Sequence, residues 1–378
     1  MPEEKIFIKR DRLTEEVRHH LKLFPVTAII GPRQSGKSTL ARQMHPDHYF
    51  DLENPRDLFR LQQPQLSLEK LKGIICIDEI QRKPDLFPLL RYLTDIYPEQ
   101  HYLILGSASR ELVSGSSESL AGRIGYIELS GFTLDEIPDS EMLWFRGGLP
   151  PSTLSETDAD SILWRENYIK TFLEMDLPQL GVQIPSSTIR RFWTMLSHYH
   201  GQQLNLSQIG GSFGITGKTV RHYIDILESA LMVRLLEPWH NNTSKRLVKS
   251  PKLYIRDSGI FHSLQAIESR NRLETHPILG ASFEGFAMEQ CCHVINREVY
   301  FWRTQAGAEL DLFWIGPDGP MGAEFKYADI PRTTKSMHTA ISDLNLQHLY
   351  VIYPKGEAFP MHEHITALPL SDVPTRLR

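Results

Sequence analysis

Cysteine is scarce: the 378 residues contain only Cys76, Cys291 and Cys292. Their spacing matches neither a metal-ligand pattern nor a disulfide framework, so a reducing cytoplasm is the expected compartment. Adjacent Cys291 and Cys292 read as helix-packing residues rather than redox groups. Long apolar runs are lacking too. None approaches the ~18 residues that mark a membrane helix, so no membrane span or membrane partner is expected. The opening MPEEKIFIKRDR is charged and has no apolar core, which predicts no secretory peptide. Net charge is small, at −5. Hydrophobic residues make up 41% and charged residues 23%, the balance of an ordinary globular chain rather than a disordered one. The length exceeds one typical core, so two or three domains are expected.

The most informative stretch present is GPRQSGKST, formed by Gly31, Pro32, Arg33, Gln34, Ser35, Gly36, Lys37, Ser38 and Thr39. It fits the phosphate-binding pattern G-x-x-x-x-G-K-[ST]. The apolar run Val26 to Ile30 before it reads as a buried strand, and Ser38 to Met44 as the first turns of a helix. Strand, glycine loop and helix N-terminus together make an anion cradle for ATP. Lys37 would reach the β- and γ-phosphates, and the Ser38 hydroxyl would ligate Mg²⁺. Some 40 residues on, Gly73 to Ile77 is an apolar strand ending in Asp78 and Glu79, the Walker B pattern. Asp78 would hold Mg²⁺, and Glu79 would orient and deprotonate the attacking water.

The order of elements extends this reading. A helix is expected over Arg12 to Leu23, and strands over Tyr49 to Leu52, Tyr102 to Leu105 and Ile124 to Leu129. Asp85 to Tyr97 reads as a helix. Such β-α-β alternation predicts an α/β domain with a parallel sheet, its nucleotide at the carboxyl edge of the strands. Ser107 ends one of those strands. It suits a sensor between the Walker B acid and the γ-phosphate, or a simple turn serine. Arg123 suits an arginine finger reaching a neighbouring subunit, which predicts a homo-oligomer. Arg110 competes for that role, and a solvated loop arginine is the alternative.

The small net charge hides an asymmetry. Residues 185–256 hold ten Lys/Arg against three acids, a segment of +7 that leaves −12 elsewhere. Such an island suits a polyanion, DNA foremost with RNA open, or an acidic neighbouring domain. After a helical linker at 160–182, the segment reads as a winged helix-turn-helix. Its helices are Ser186 to His200, Leu206 to Phe213 capped by Ser207, and Lys218 to Leu231. Apolar Val220, Ile224, Leu227 and Leu231 follow helical spacing. Lys218, Arg221 and His222 fall on the opposite face, suited to phosphates and base edges. Strands over Met232 to Pro238 and Lys252 to Arg256 would carry a wing with Lys245 and Arg246 near its tip.

A third constellation lies in the last hundred residues. Glu284 sits in an apparent helix, Ala281 to Cys292. Strands are expected over Val299 to Trp302, Ala308 to Phe313 and Ala323 to Lys326. Alternation places Glu324 and Lys326 on one face, with Asp311 on the adjacent strand. Two or three carboxylates and an ammonium there could hold Mg²⁺ or Mn²⁺ and position a water for phosphodiester cleavage.

GPRQSGKST, IICIDEIQ, SLAGR, FRGGLP, YIRDSG, GASFEGFAMEQ, WRTQAGAELDLF and AEFKY together resemble a large prokaryotic family of AAA-type P-loop ATPases with a C-terminal domain of unknown function. The resemblance covers nearly the whole chain. It implies an AAA+-like ATPase domain over 1–158, a helical linker and winged helix over 159–256, and a PD-(D/E)XK nuclease-like α/β domain over 257–378. By position it assigns Lys37, Ser38, Asp78 and Glu79 to ATP hydrolysis. It assigns Glu284, Asp311, Glu324 and Lys326 to the nuclease-like site. The proline that names the nuclease motif is absent, with Leu310 before Asp311. Two functions follow as expectations: an ATP-hydrolysing enzyme acting on nucleic acid, with metal-dependent cleavage, or an ATP-switched protein-binding module with an inactive nuclease-like domain. A transcription regulator built on the winged helix is a third.

Overall fold

The computed structural model describes residues 8–107, 120–179, 182, 184–240 and 249–377. They fall into two compact units, Met1–Gly131 with Ser229–Leu231, and Phe132–Glu228 with Met232–Arg378.

The first unit is built on five parallel strands: β1 (Val26–Gly31), β2 (His48–Asp51), β3 (Gly73–Asp78), β4 (Gln100–Ser107) and β5 (Ile124–Glu128). Their order is β2-β3-β4-β1-β5. Strand side chains alternate between two apolar layers. Ile29, Cys76, Leu103 and Leu105 pack with Leu13, Val17 and Leu21 of α1 (Asp11–Leu23) and Leu40 of α2 (Lys37–Gln43). Ala28, Ile75, Ile77 and Ile104 pack with Leu86, Phe87, Leu90 and Leu93 of α3 (Leu86–Ile96). Both faces are covered, as a purely parallel sheet requires.

The second unit opens with packed helices. The segment expected as a linker is helix α4 (Asp158–Thr171) with a π-turn at Phe172–Asp176, and it is part of the packing. Arg165 is fully buried and donates to the Phe145 carbonyl at 2.6 Å. Helices α5 (Ser186–Ser197), α6 (Leu206–Phe213) and α7 (Gly217–Ser229) follow. An antiparallel sheet is threaded among them, ordered β6 (Gln202–Gln203, between α5 and α6), β8 (Lys252–Ile255), β7 (Val233–Leu236). Two expectations are corrected here. Asn205, not Ser207, caps α6: its side chain accepts from the Gln208 N–H at 3.0 Å. Leu231 lies beyond the end of α7 with φ of +57°, so the apolar stripe stops at Leu227.

Two of the quoted motifs prove to be mutual supports. The Asp257 carboxylate of YIRDSG accepts from the Gly148 N–H of FRGGLP at 2.8 Å and caps its own helix through Ile260 N–H at 2.8 Å. Gly147 has φ of +80°, and a Cβ there would lie 2.2 Å from Asp257. Glycine is therefore required on both counts.

The chain ends in a six-stranded mixed sheet. It comprises β9 (Val299–Arg303), β10 (Glu309–Gly316), β11 (Gly319–Phe325), β12 (His348–Tyr353), β13 (Phe359–His362) and β14 (Ile365–Pro369), ordered β13-β14-β12-β11-β10-β9. Its partners include α8 (Leu279–Ile295), which carries Glu284, and α9 (Lys335–Leu344), which buries Met337, Ala340 and Leu344 against Trp302, Leu310 and Phe313. The pairing of β9 with β10 shifts register between Leu310 and Phe313. That irregularity lets Leu310 and Phe313 share one core while Asp311 lines a cavity with Glu309.

Candidate functional sites

The loop 31–36 leaves β1 and enters α2 through Gly36, whose φ is +94°. Gly31 faces the Leu129 carbonyl so closely that a Cβ would lie 2.1 Å from its oxygen. Lys37 is 5% exposed and donates to the Gly31 carbonyl at 3.0 Å and the Pro32 carbonyl at 2.7 Å. Its ammonium is thus folded back over the loop that would hold the phosphates. Ser38 follows in the first turn of α2.

Asp78 ends β3, two strands from β1. It is 5% exposed, and both its oxygens are engaged. Oδ2 accepts from the Tyr49 hydroxyl at 2.5 Å, and Oδ1 from the Glu79 N–H at 2.9 Å. Burial, then the bond to Asp78, pushes the Tyr49 phenol far up, so it remains a donor. Glu79 adopts the left-handed conformation, φ +56°, unusual for a residue with a side chain. Burial raises its pKa, with Lys37 opposing, and Gln81 donates to its Oε2. Ser107 ends β4, between β1 and β3, in register with Gly31.

Arg123 lies elsewhere. It sits just before β5, its carbonyl accepting from Val26 N–H at the amino end of β1, the sheet edge opposite the phosphate loop. Its guanidinium grips Asp95 with two bonds, 2.8 and 3.1 Å. Arg110, its competitor, lies outside the described residues. Sequence reasoning overlooked three supports of this site: Tyr49, Gln81 and Arg10. Arg10, 2% exposed, donates to the Ser35 carbonyl inside the phosphate loop at 3.1 Å and to the Gly131 carbonyl at 2.5 Å.

In the second unit, Glu284, Asp311, Glu324 and Lys326 line one cavity of about 650 Å³, together with Glu309, Arg303 and Lys252. Asp311 accepts from the Phe325 N–H at 3.2 Å, and Lys326 bonds Glu324 at 2.9 Å. Burial works against every charge here. It lifts Glu284 to about 7, with Asp311 adding repulsion and Lys252 opposing. Glu324 is raised by burial and by Asp311 beside it, whereas Asp311 is lowered because Lys252 and Lys326 outweigh its burial.

Lys252 lies in the expected strand, but its side chain does not belong to a basic surface. It belongs to the supposed wing, yet it is 3% exposed inside the cavity. Its Nζ lies 2.6 Å from Glu309, 3.3 Å from Asp311 and 3.5 Å from Glu284. The metal shell expected from Glu284, Asp311 and Glu324 is therefore not formed as such, because an ammonium already stands among the carboxylates. Among the described residues, no group of three or more His, Cys, Asp or Glu is arranged to hold a metal ion. The donor atoms do not fit a divalent cation as they stand.

The basic island is also less basic at its surface than its count suggests. Arg234 and Arg256 both bind the buried Glu289, at 2.6 and 3.3 Å, and hold its carboxyl down at about 2 although burial alone would raise it. Lys218, Arg221 and His222 are exposed on α7. Arg221 is tied to Asp225 at 2.7 Å and lies 4.0 Å from Glu228. Lys245 and Arg246 lie outside the described residues.

A glycine-lysine loop between a parallel strand and a helix, with Asp78 and Glu79 at the end of a nearby strand, defines a P-loop ATPase domain of the AAA type. Comparison agrees: the family model "AAA domain" matches residues 23–138. Two domains of unknown function, DUF8612 and DUF4143, match 137–271 and 279–373. The chain belongs to the family of two mycobacterial proteins, each 46% identical over 98% of this chain and 86% of its own length. These are the uncharacterized proteins Rv2008c of Mycobacterium tuberculosis and Mb2031c of Mycobacterium bovis. Among solved structures, the Walker-type ATPase of Pyrococcus abyssi matches at 17% identity and a TM-score of 0.45, covering 68% of this chain and 96% of that one. A signal-transduction ATPase with a tetratricopeptide repeat sensor from Pyrococcus horikoshii matches at 13% and 0.29, covering 78% and 50%. No described helix is long and apolar enough to cross a membrane.

Proposed function

We propose that this protein hydrolyses ATP with Mg²⁺ and couples hydrolysis to nucleic acid bound by its second unit. The observation that carries the reading is the placing of Lys37, Asp78 and Glu79 at the carboxyl ends of β1 and β3, with only β4 between them. Lys37 gives up its two loop carbonyls and turns to the β- and γ-phosphates. Ser38 and Asp78 supply the hydroxyl and carboxylate oxygens that Mg²⁺ prefers, and Tyr49 keeps Asp78 aimed. When bound, Mg²⁺ neutralises charge developing on the phosphoryl oxygens. Glu79 takes the proton of the attacking water, and its raised pKa makes it a better base than an exposed glutamate. Ser107 faces the γ-phosphate as sensor. Arg123 serves a neighbouring subunit of a homo-oligomer, which requires release from Asp95.

Residues 185–256 read as a winged helix, presenting Lys218, Arg221 and His222 to phosphates and base edges. The C-terminal sheet reads as PD-(D/E)XK-like. No metal-dependent cleavage is built on its cavity, because Lys252 stands where the ion would be. That same observation favours a second reading, an ATP-switched protein-binding module with an inactive nuclease-like domain. Steady-state turnover tests the first. Lys37→Ala should lose ATP binding, and Glu79→Gln should keep binding while turnover falls by about a hundredfold or more. Equal turnover in wild type and Glu79→Gln would refute the role of Glu79. DNA that neither binds nor changes the ATPase rate would leave the second reading.

A further inference from the structure

We infer that Lys252 is the resident cation of the carboxylate cavity, so that its ammonium and a divalent metal ion exclude each other there. The inference goes beyond the ATPase reading and does not rest on it. Three carboxylates contact the ammonium, at 2.6 Å from Glu309, 3.3 Å from Asp311 and 3.5 Å from Glu284. Other donors occupy further sites on these carboxylates. Glu284 Oε1 also accepts from the Tyr254 hydroxyl at 2.7 Å, Asp311 Oδ2 from the Phe325 N–H at 3.2 Å, and Glu324 Oε2 from Lys326 at 2.9 Å. A metal ion bridging Glu284 Oε1 and Asp311 Oδ1 would share both oxygens with the ammonium. Two cations sharing oxygens in a buried site repel strongly.

The lysine is also held from behind. Its backbone pairs with Gln203 of β6 on one side and Leu236 of β7 on the other, and Nζ lies 5.5 Å from the centre of the Phe301 ring. It cannot leave by a simple loop movement. The carboxylates and the lysine come from segments matched by different family models, 279–373 and 137–271. The site is thus closed to metal by a side chain that the carboxylate domain does not itself carry.

The test is calorimetric titration of the full-length protein with Mn²⁺, without nucleotide. Asp311→Asn serves as the reference that removes the cavity's contribution and leaves any binding at the phosphate loop. Wild type should match Asp311→Asn, with no binding that depends on Asp311. Lys252→Met keeps the apolar stem, and it should gain a site that binds Mn²⁺ tighter by about tenfold or more. The gain should vanish in Lys252→Met/Asp311→Asn. If Lys252→Met does not fold, Lys252→Gln carries the same comparison with a neutral donor. Asp311-dependent Mn²⁺ binding by wild type would overturn the inference, whatever the fate of the variants. So would a folded Lys252→Met or Lys252→Gln with no gain. None of these readouts involves ATP turnover, so they stand or fall apart from the ATPase reading.

Discussion

At the scale of single residues, Asp78 and Glu79 accept from neutral side-chain donors, Tyr49 and Gln81. Tyr49 on Asp78 is one case, and its effect is separable. Tyr49→Phe keeps the ring and removes one hydrogen bond from a buried carboxyl group. Such a bond contributes on the order of 1 kcal/mol, so turnover should fall by about fivefold and need more Mg²⁺. ATP affinity measured without Mg²⁺ should stay level, and a parallel loss of metal-free binding would place Tyr49 in the fold rather than the site. His262 is a separate matter, a buried ring with no carboxylate beside it among the described residues. Its ring contacts the Phe145 carbonyl at 3.1 Å and the Ser282 hydroxyl at 2.7 Å, and that hydroxyl accepts from Trp144 at 2.9 Å. Burial lowers its pKa from 6.5 to about 3, although the Phe145 bond opposes the shift. A base depressed in this way contributes stability that is complete above its unfolded pKa and is lost as pH falls towards the folded one. His262→Asn should therefore be less stable than wild type near neutrality, and the gap in melting temperature should narrow between pH 6.5 and 3. A gap independent of pH would mean that packing alone accounts for the residue.

At the scale of elements, strands and helices followed the apolar pattern closely, because each is written in local sequence. β1 and β3 are short apolar runs that end where the phosphate loop and the acids begin. What local pattern could not carry is the partner across space. Lys252 and Asp311 meet although 59 residues separate them, and Arg10 reaches Ser35 across 25. Counting charge failed for the same reason: Arg234 and Arg256 look like surface cations until Glu289 is seen between them. The capping error was different. Asn205 and Ser207 are both good caps, and only the backbone start of α6 chooses between them. Among the described residues, the DNA expectation therefore narrows to Lys218, Arg221 and His222 on α7, with Lys245 and Arg246 outside them. Changing Lys218, Arg221, Lys245 and Arg246 to Glu should abolish DNA binding in filter or fluorescence assays and leave the DNA-free ATPase rate intact. Wild-type affinity should fall with salt by roughly 0.9 log units per log unit for each phosphate neutralised. Unchanged affinity in the quadruple variant would move the contact off these four residues.

At the scale of the whole molecule, the remaining question is whether one chain completes its own ATPase site. Within the described residues, Arg123 is committed to Asp95 at the sheet edge away from the phosphate loop, so it cannot serve its own nucleotide. That pair is solvent-exposed, and exposed ion pairs are weak, so a γ-phosphate on a neighbouring subunit could outcompete Asp95. Turnover per subunit should then rise with protein concentration as oligomers form. Arg123→Ala should bind ATP normally and lose turnover, while Asp95→Asn should keep it. Mixing makes the case decisive. Lys37→Ala subunits cannot bind ATP but carry an intact Arg123, and Arg123→Ala subunits bind ATP but lack the arginine. Each is inactive alone, and together they should recover a fraction of wild-type turnover at interfaces that pair the two. No recovery on mixing, or full wild-type turnover by a monomer at nanomolar dilution, would confine Arg123 to its structural pair with Asp95.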